Sequence, residues 1–250
     1  MHPGVAGVCG GLRRRVGAGV GRWRRAGARV LSGPRMYSLR NLIAPSTEPV
    51  SRMFGWDRGT PIDRVYMEGF LKSHGDRIRG AVLEVGERTY TLRFGNGVIT
   101  SDVLHATADN SQATLVGDLV SGRGLEDVAF DCIVLTQTLP FVSDCRAALG
   151  TLYRGLRPGG CLLATVPGLA QLSRYDQERW GDYWRFMPHG CAQLFDERFG
   201  RTNVTISTYG NLYCAARFLE GFCAEEIPAH LLRVHDPEYP ITIGIEAIKR

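Results

Sequence analysis

Several polar residues stand where an apolar, strand-like run comes to an end, and these side chains are well placed to do chemistry. Glu84 and Gly86 close the run AVLEVG, Asp102 follows VIT, Asp118 follows TLV, and Gln137 interrupts FDCIVLTQTL. A carboxylate in such a position can accept charge-assisted hydrogen bonds, and a glycine lets the backbone approach a ligand closely. These residue types and their spacing favour a ligand site at the strand ends.

Apolar runs alternate with helix-forming segments along residues 59–249, and this order would bring the polar residues together. Near-continuous apolar strands between helices favour a parallel sheet that helices cover on both faces. In such sheets ligands bind beyond the carboxyl ends of the strands. The predicted strands are 81–86, 98–100, 114–119, 130–139, 161–168, 204–210 and 241–249, and the predicted helices are 59–74, 143–156 and 188–198.

The strand tails and turns also follow a recognisable order. VLEVG is followed by Asp102, by GDL with Asp118 and Leu119, by FDCIVLTQTLPFV, by LRPGGCLLATVPG and by WRFMPHGCAQLFDERFG. This series resembles class I S-adenosylmethionine-dependent methyltransferases over about residues 80–250. The resemblance implies an α/β, Rossmann-like fold: a seven-stranded sheet, mostly parallel with an antiparallel edge strand, and helices on both faces. It also implies S-adenosylmethionine as cofactor.

The resemblance assigns parts of the cofactor to particular residues. It implies that Asp102 accepts hydrogen bonds from the ribose hydroxyls and that Asp118 reads the amine of adenine, with Leu119 as an apolar wall. It places Gln137 beside the sulfonium. Structural alternatives stand beside these assignments: Glu84 could cap the next helix, Asp118 could cap a helix or turn, and Gln137 could be a local hydrogen-bond partner. For Asp102, the stretch VITSDVLH offers two plausible strand ends.

The loop after the first strand departs from the family pattern acid-x-Gly-x-Gly-x-Gly. Glu84 and Gly86 fit this pattern and are predicted to bind the cofactor, but Arg88 and Tyr90 replace the second and third glycines. We therefore expect a wider loop, in which Arg88 or Arg93 binds the methionine carboxylate with its charged fork.

The segment WGDYWRF, residues 180–186, is rich in aromatic side chains. Aromatic faces stack on sugar rings or planar ligands, so the segment is predicted to form a substrate wall, the alternative being a lid that packs on the sheet. With RGTPIDR it resembles a bacterial subgroup found beside, or fused to, glycosyltransferases. The predicted substrate-binding residues are Trp180, Tyr183, Trp184 and Arg185.

Methyl transfer is an in-line displacement that needs alignment above all, and a general base adds a smaller factor. Asp182 and His189 are the candidates for that base. The residues ahead of the first strand could also reach the site, since such segments often close over the cofactor in related folds; otherwise they form a packing helix. The residues concerned are Thr60, Asp63, Arg64 and Tyr66.

The charge distribution argues against a nucleic-acid partner. The net charge is +5, yet nine Arg and no acid precede Glu48, so the remainder carries 21 basic against 25 acidic residues. The folded body is therefore acidic, whereas nucleic-acid binders usually carry a basic surface. Seven scattered cysteines without a CxxC pair favour buried thiols in a reducing cytoplasm, and no spacing of residues predicts a metal site.

The chain divides into three predicted parts. Residues 1–47 form a flexible basic arm rich in Gly and Arg, residues 48–80 a helical cap, and residues 81–250 the methyltransferase domain with a lid insertion at about 169–190. No apolar run reaches the roughly 18 residues of a membrane span. The composition is compatible with a homo-oligomer.

The leading functional hypothesis is transfer of a methyl group from S-adenosylmethionine to a small-molecule or glycan acceptor, with a hydroxyl of a sugar-containing or secondary-metabolite substrate favoured. The alternative is a non-catalytic binding or scaffold module that has lost the cofactor, which the missing glycines suggest. A third hypothesis is RNA methylation guided by the basic arm; the acidic body and the absence of a catalytic Cys motif argue against it.

Overall fold

The computed structural model describes residues 46–126 and 129–250. They lie in one compact unit that spans residues 44–250. The arm predicted over 1–47 falls, except for its last two residues, outside the described part of the chain. The division into arm, cap and domain therefore stays a prediction.

The apolar runs form seven strands of one sheet, in the order β3-β2-β1-β4-β5-β7-β6. All neighbouring strands from β3 to β5 are parallel, whereas β7 is antiparallel to both β5 and β6. The predicted mostly parallel sheet with antiparallel pairing at one edge is confirmed. The strands are β1 (Gly80–Val85), β2 (Val98–His105), β3 (Leu115–Val116), β4 (Phe130–Thr136), β5 (Leu156–Pro167), β6 (Val204–Tyr209) and β7 (Thr242–Ile248).

The described residues form six α-helices. They are α1 (Ile62–Ser73), α2 (Thr89–Phe94), α3 (Cys145–Gly155), α4 (Arg174–Gln177), α5 (Pro188–Phe199) and α6 (Leu212–Glu220). The helices predicted at 59–74, 143–156 and 188–198 correspond to α1, α3 and α5. As expected of an N-cap, the Asp144 carboxylate accepts a hydrogen bond from the Ala147 amide, 3.0 Å away.

Alternate residues along the strands supply the two faces of the core. Leu162, Ala164 and Val166 of β5 pack on one face with α3 and α5, where Leu149 and Phe195 are fully buried. Cys161 and Leu163 of β5 lie on the opposite face, beneath α1. The side chains that α1 buries there are Met67, Phe70 and Leu71. Burial on both faces explains why these strands read as continuous apolar runs.

The strand β2 extends further than the sequence suggested. Asp102 was expected to end it, but β2 continues to His105, and Val103 and Leu104 are buried. That prediction is wrong, because Val103 and Leu104 pair with β1 and are buried in the core, so the strand continues past Asp102. β3 shows the reverse, since only Leu115–Val116 of the predicted 114–119 pair with a neighbour.

Candidate functional site

The carboxyl ends of the parallel strands meet at one edge of the sheet, and the loops beyond them form the candidate site. The strand order reverses between β1 and β4, because the chain passes from β1 outward to β2 and β3 and then returns to β4. Such a switch point opens a crevice between the loops of the two flanking strands, which is where open α/β sheets bind ligands. The site therefore divides into the tails of β1–β3 and the tails of β4–β5.

The loop after β1 is short. Only residues 86–88 separate β1 from α2, so the wider loop expected from the missing glycines is wrong. Gly86 has φ +93°, which favours glycine, and open space lies where a Cβ would stand. The side-chain Nδ2 of Asn110 donates a hydrogen bond to the Gly86 carbonyl, 2.6 Å away. The first glycine alone therefore gives a tight turn with an open face.

Glu84 explains how the loop closes without further glycines. Its carboxylate accepts hydrogen bonds from the amides of Tyr90 and Thr91, at 3.0 and 2.7 Å, and from the Thr91 hydroxyl at 2.7 Å. These are the orphan donors of the first turn of α2. Glu84 is 1 % exposed, and burial raises its pKa while the bonds from Thr91 oppose that shift. The residue holds the loop against the helix.

The two arginines proposed for the cofactor carboxylate differ in position. Arg93 makes a bidentate ion pair with Glu68 of α1, with N–O distances of 2.6 and 3.0 Å. It is therefore engaged away from the loop. Arg88 is the N-cap residue of α2 and lies half-buried beside Gly86. Arg88 remains the candidate.

The other predicted acids of this half are bound to their own surroundings. Asp102 lies inside β2 and accepts from the Thr114 hydroxyl at 2.8 Å, so its position gives no support to a ribose role. One oxygen of Asp118 accepts from the amides of Val120 and Ser121 and shapes the turn after β3. Leu119 is 8 % exposed and joins the core.

The tail of β4 is different, because it holds a polar group that is not satisfied. Gln137 adopts a left-handed conformation with φ +48°, uncommon for a residue with a side chain. The backbone N–H of Gln137 donates to the Thr165 carbonyl of β5, 2.8 Å away. The side-chain Nε2 is buried and has no hydrogen-bond partner in the described structure. Unsatisfied buried donors are rare and often mark a ligand position.

Gln137 lies in a cleft of about 220 Å³ at the ends of β4 and β5. Phe54, which also lines it, has φ +57°; among described residues, Phe54 and Gln137 are the non-glycine residues with positive φ. Such strain clusters at ligand sites. The other lining residues are Trp56, Asp63, Arg64, Met67, Pro140, Phe141, Pro167, Ala170, Gln171, Ser173, Asp176, Asp182 and Arg185.

The first turn of α1 supplies a carboxylate and a guanidinium to the cleft. Asp63 accepts a hydrogen bond from the Arg64 amide at 2.8 Å, and burial raises the pKa of Asp63 to about 6 although Arg64 opposes the shift. Arg64 donates to the Tyr90 hydroxyl at 2.6 Å and lies 4.4 Å over the Trp56 ring. The sequence pointed to Asp63 and Arg64 only as members of a segment near the site, and gave no signal for Phe54 or Trp56.

The remaining candidates of that segment, Thr60 and Tyr66, do not line the cleft. The Thr60 hydroxyl donates to Glu225, at 2.7 Å. Tyr66 is buried and stacks with Tyr209. Both side chains hold the segment against the rest of the fold.

The segment after β5 carries the predicted substrate wall, and Asp182 ties it down. The Asp182 carboxylate accepts from the Ser173 amide at 2.9 Å and from both terminal nitrogens of Arg185, at 2.6 and 2.9 Å. Arg185 also donates to the carbonyls of Ala170 and Gln171. Burial acts to raise the pKa of Asp182, but Arg185 and the Ser173 amide outweigh it and the pKa is lowered. This engagement does not suit a general base.

The other base candidate is also misplaced. His189 is exposed in the first turn of α5 and does not line the cleft. Pro188 is the first residue of α5, a position that favours proline, and His189 follows it as an exposed residue. The predictions for Asp182 and His189 as bases therefore find no support in the geometry.

The aromatic residues of the segment stand over the strand ends with exposed faces. Tyr183 donates its amide to the Pro140 carbonyl, and the Trp184 indole donates to Val142, at 2.8 and 2.9 Å. Trp180 meets the His105 ring edge-on with centroids 5.9 Å apart. The side chains of Trp180, Tyr183 and Trp184 are 38 %, 51 % and 45 % exposed, so a ligand could still cover them.

Comparison with known proteins shows that part of the chain is similar to one protein family. Residues 83–164 match a family model described as a methyltransferase domain. Over these residues the chain is similar to that family. The match runs from β1 to β5 and so includes the crevice and Gln137, while α1 and the segment after β5 lie outside it. No curated protein matches the sequence significantly.

Solved structures of similar fold include several methyltransferases. A SAM-dependent methyltransferase from Archaeoglobus fulgidus is 14 % identical, with 74 % of this chain and 94 % of that chain aligned and a TM-score of 0.48. The N-methyltransferase NodS from Bradyrhizobium japonicum, in complex with S-adenosyl-L-homocysteine, is 12 % identical, with 80 % and 94 % aligned and a TM-score of 0.47. At these identities and TM-scores, no residue role is taken from them.

Two further features of the described residues bear on the site. No group of three or more His, Cys, Asp or Glu side chains is arranged there to hold a metal ion. Within the same residues, no helix is long and apolar enough to cross a membrane.

Proposed function

We propose that the chain transfers a methyl group from S-adenosylmethionine to a hydroxyl of a small-molecule or glycan acceptor. One observation carries the proposal: the stretch that matches the methyltransferase family model leads, at the end of β4, into a cleft in which the buried side-chain Nε2 of Gln137 lacks a partner in the described structure. A glycan or secondary metabolite is favoured because exposed aromatic faces stand beside this cleft.

The residues at the strand ends fit the cofactor. The open face above Gly86 admits a ligand against the backbone, and Arg88 beside it offers a charged fork to the methionine carboxylate. The proposal assigns adenine to the turn that Asp118 shapes. When bound, the cofactor supplies an activated methyl group on a sulfonium. The role of the chain is to align that group with the acceptor and exclude water.

The two halves of the site then have separate tasks. The tails of β1–β3 hold the nucleoside and the methionine end, while the cleft at β4 and β5 receives the acceptor. Trp180, Tyr183 and Trp184 provide faces for stacking, and Arg185 fixes the segment that carries them. The cysteines of the described residues are free and buried, which suits a reducing cytoplasm as the place of action.

Calorimetric titration with S-adenosylmethionine and S-adenosylhomocysteine tests the cofactor part. We expect both to bind. Arg88→Ala should weaken them by about 1.5–3 kcal/mol, the scale of a hydrogen bond to a charged group, whereas Arg93→Ala should leave the affinity unchanged. Absence of binding at millimolar ligand would refute the enzymatic proposal and favour a binding module that has lost the cofactor.

Acceptor specificity needs a second assay. Incubation with cofactor labelled on the methyl group and a panel of glycosides, polyols and matching amines should label hydroxyl compounds. Trp184→Ala should reduce that labelling, and Leu172→Ala, which also removes an exposed apolar side chain of the segment, serves as control. Labelling confined to amines would contradict the choice of a hydroxyl.

A further inference from the structure

The cleft at β4 and β5 contains a matched pair of polar groups. One is the Gln137 Nε2, a buried donor without a partner. The other is the Asp63 carboxylate, whose hydrogen bonds in the described residues come from the main-chain amides of Arg64 and of Asp63 itself. Both line the same cavity of about 220 Å³. A group that fills the space between them must donate to Asp63 and accept from Gln137.

A hydroxyl meets this requirement, and an amine does not. A hydroxyl oxygen has two lone pairs, so one can accept from Gln137 while the other attacks, and its proton points to Asp63. A neutral amine has one lone pair, which the attack consumes, and an ammonium has none. A nitrogen acceptor would leave the buried Gln137 donor unsatisfied, at an energetic cost.

The direction of attack would place this pair on the correct side of the methyl group. With the nucleoside end held by the tails of β2 and β3, as the proposed function has it, the sulfonium would lie at the crevice between β1 and β4. In-line displacement requires the acceptor on the far side of the methyl carbon from sulfur. In this sheet that side is the cleft beyond β4, between α1 and the segment after β5.

We propose that Asp63 is the general base of the reaction and that Gln137 orients the acceptor hydroxyl toward it. The inference rests on the proposed function and names a residue for it. The hydroxyl oxygen forms a bond to the methyl carbon as the carbon–sulfur bond breaks. The bonding pair remains on sulfur, giving neutral S-adenosylhomocysteine, and the hydroxyl proton passes to Asp63.

The groups around Asp63 agree with this role. Arg64, on the same helix, is engaged by the Tyr90 hydroxyl and the Trp56 ring. The segment after β5 presents Asp176, which accepts from the Ser173 hydroxyl, and Asp182, which is paired with Arg185. The cleft residues contributed by the stretch before α1 and by the β4 tail carry no charge. Asp63 therefore has a pKa of about 6 in a cavity where a base near neutrality is effective.

The test uses sinefungin, in which a carbon bearing an ammonium group replaces the methylated sulfonium. Its ammonium occupies the position of the transferred methyl group and should donate to Asp63. We expect the full chain to bind sinefungin at least about tenfold more tightly than S-adenosylhomocysteine at pH 7.5. This preference should disappear in Asp63→Asn, whose amide oxygen can still accept from the Arg64 amide, and should persist in the matched control Glu68→Gln on the same helix.

Wild-type protein gives a measurement that needs no variant. The preference for sinefungin should fall as the pH decreases through about 6, because Asp63 then gains a proton and loses its charge. A preference that is absent, insensitive to pH, or retained in Asp63→Asn would overturn the proposal. So would an equal loss for both ligands in Asp63→Asn, which would place Asp63 at the methionine amine. Failure of either ligand to bind wild-type protein would instead refute the cofactor proposal itself.

Discussion

The tails of β1–β3 and the tails of β4–β5 stand at the same edge of the sheet but treat their polar groups in opposite ways. In the first half, Glu84, Asp102 and Asp118 each accept hydrogen bonds from nearby backbone or hydroxyl groups. In the second, Gln137 and the neighbouring Asp63 of α1 line a cavity and can still form further hydrogen bonds. The polar groups of the first half stabilise the local backbone. Those of the second half are left free to bind a ligand, which lowers the stability of the folded state.

The largest expected effect on stability comes from a substitution in the first half, at Glu84. Glu84→Gln removes the charge that the two amides and the hydroxyl at the start of α2 share, and the new amide turns a donor toward them. We expect the free energy of unfolding to fall by about 3 kcal/mol, measured by urea denaturation. Glu87→Gln, in the same loop but exposed, is the control. Equal stability of the two variants would show that Glu84 does not hold the loop.

The second half should respond in the opposite direction. Because the pKa of Asp63 is raised to about 6, the folded state binds its proton more tightly than the unfolded state does. Asp63 therefore stabilises the fold only at low pH, and this contribution is lost as the pH rises from about 4 through 6. Asp63→Asn should raise the free energy of unfolding by about 2 kcal/mol at pH 7.5 and leave it unchanged at pH 4. If Asp63→Asn instead lowered the free energy of unfolding at pH 7.5, the two halves would not differ in how their polar groups affect stability.

The tether of the segment after β5 should matter less for global stability. Arg185→Ala removes the bonds to the Ala170 and Gln171 carbonyls and leaves Asp182 unpaired. We expect a loss of about 1.5 kcal/mol, with faster amide hydrogen exchange confined to residues 169–187. Arg179→Ala, at another exposed position of the same segment, is the control. Exchange that accelerates across the whole sheet would show that the tether supports the fold rather than the segment.

The smallest effect concerns Asp102. Because it lies inside β2, three residues before the strand end, Asp102→Asn should change the affinity for S-adenosylmethionine by less than about twofold. Calorimetry measures this, and Thr114→Val serves as a comparison that removes the same hydrogen bond from the other side. A tenfold loss confined to Asp102→Asn would restore the ribose role that the sequence suggested.

The sheet could be predicted well from the sequence because burial on both faces leaves long apolar runs. The seven strands and the helices α1, α3 and α5 follow from those runs and from caps such as Asp144. The end of β2 was misjudged because a polar pair, Ser101 and Asp102, interrupts a strand that the sheet nevertheless continues. Local polarity does not mark a strand end when the neighbouring strand still offers partners.

The site was harder to predict than the sheet. The acids at strand tails are visible in the sequence, but the sequence does not tell whether a helix or a ligand will satisfy them, and for Glu84 the structure gives the helix. Asp63 and Gln137 are 74 positions apart and meet only through the packing of α1 on β5. The left-handed backbone of Phe54 and Gln137 carries no sequence signal, because neither is a glycine.

The edge-on contact of Trp180 with His105 has a consequence for turnover. It joins the segment after β5 to the tail of β2, and β4 and β1 lie between those strands, so the segment bridges the crevice from rim to rim. Under the proposed function, a spent nucleoside held beneath the segment would leave when this bridge lifts. Departure of the product, rather than bond making, would then set the pace of the cycle. Weakening the Trp180–His105 contact would speed product release but would also let water reach the reacting groups.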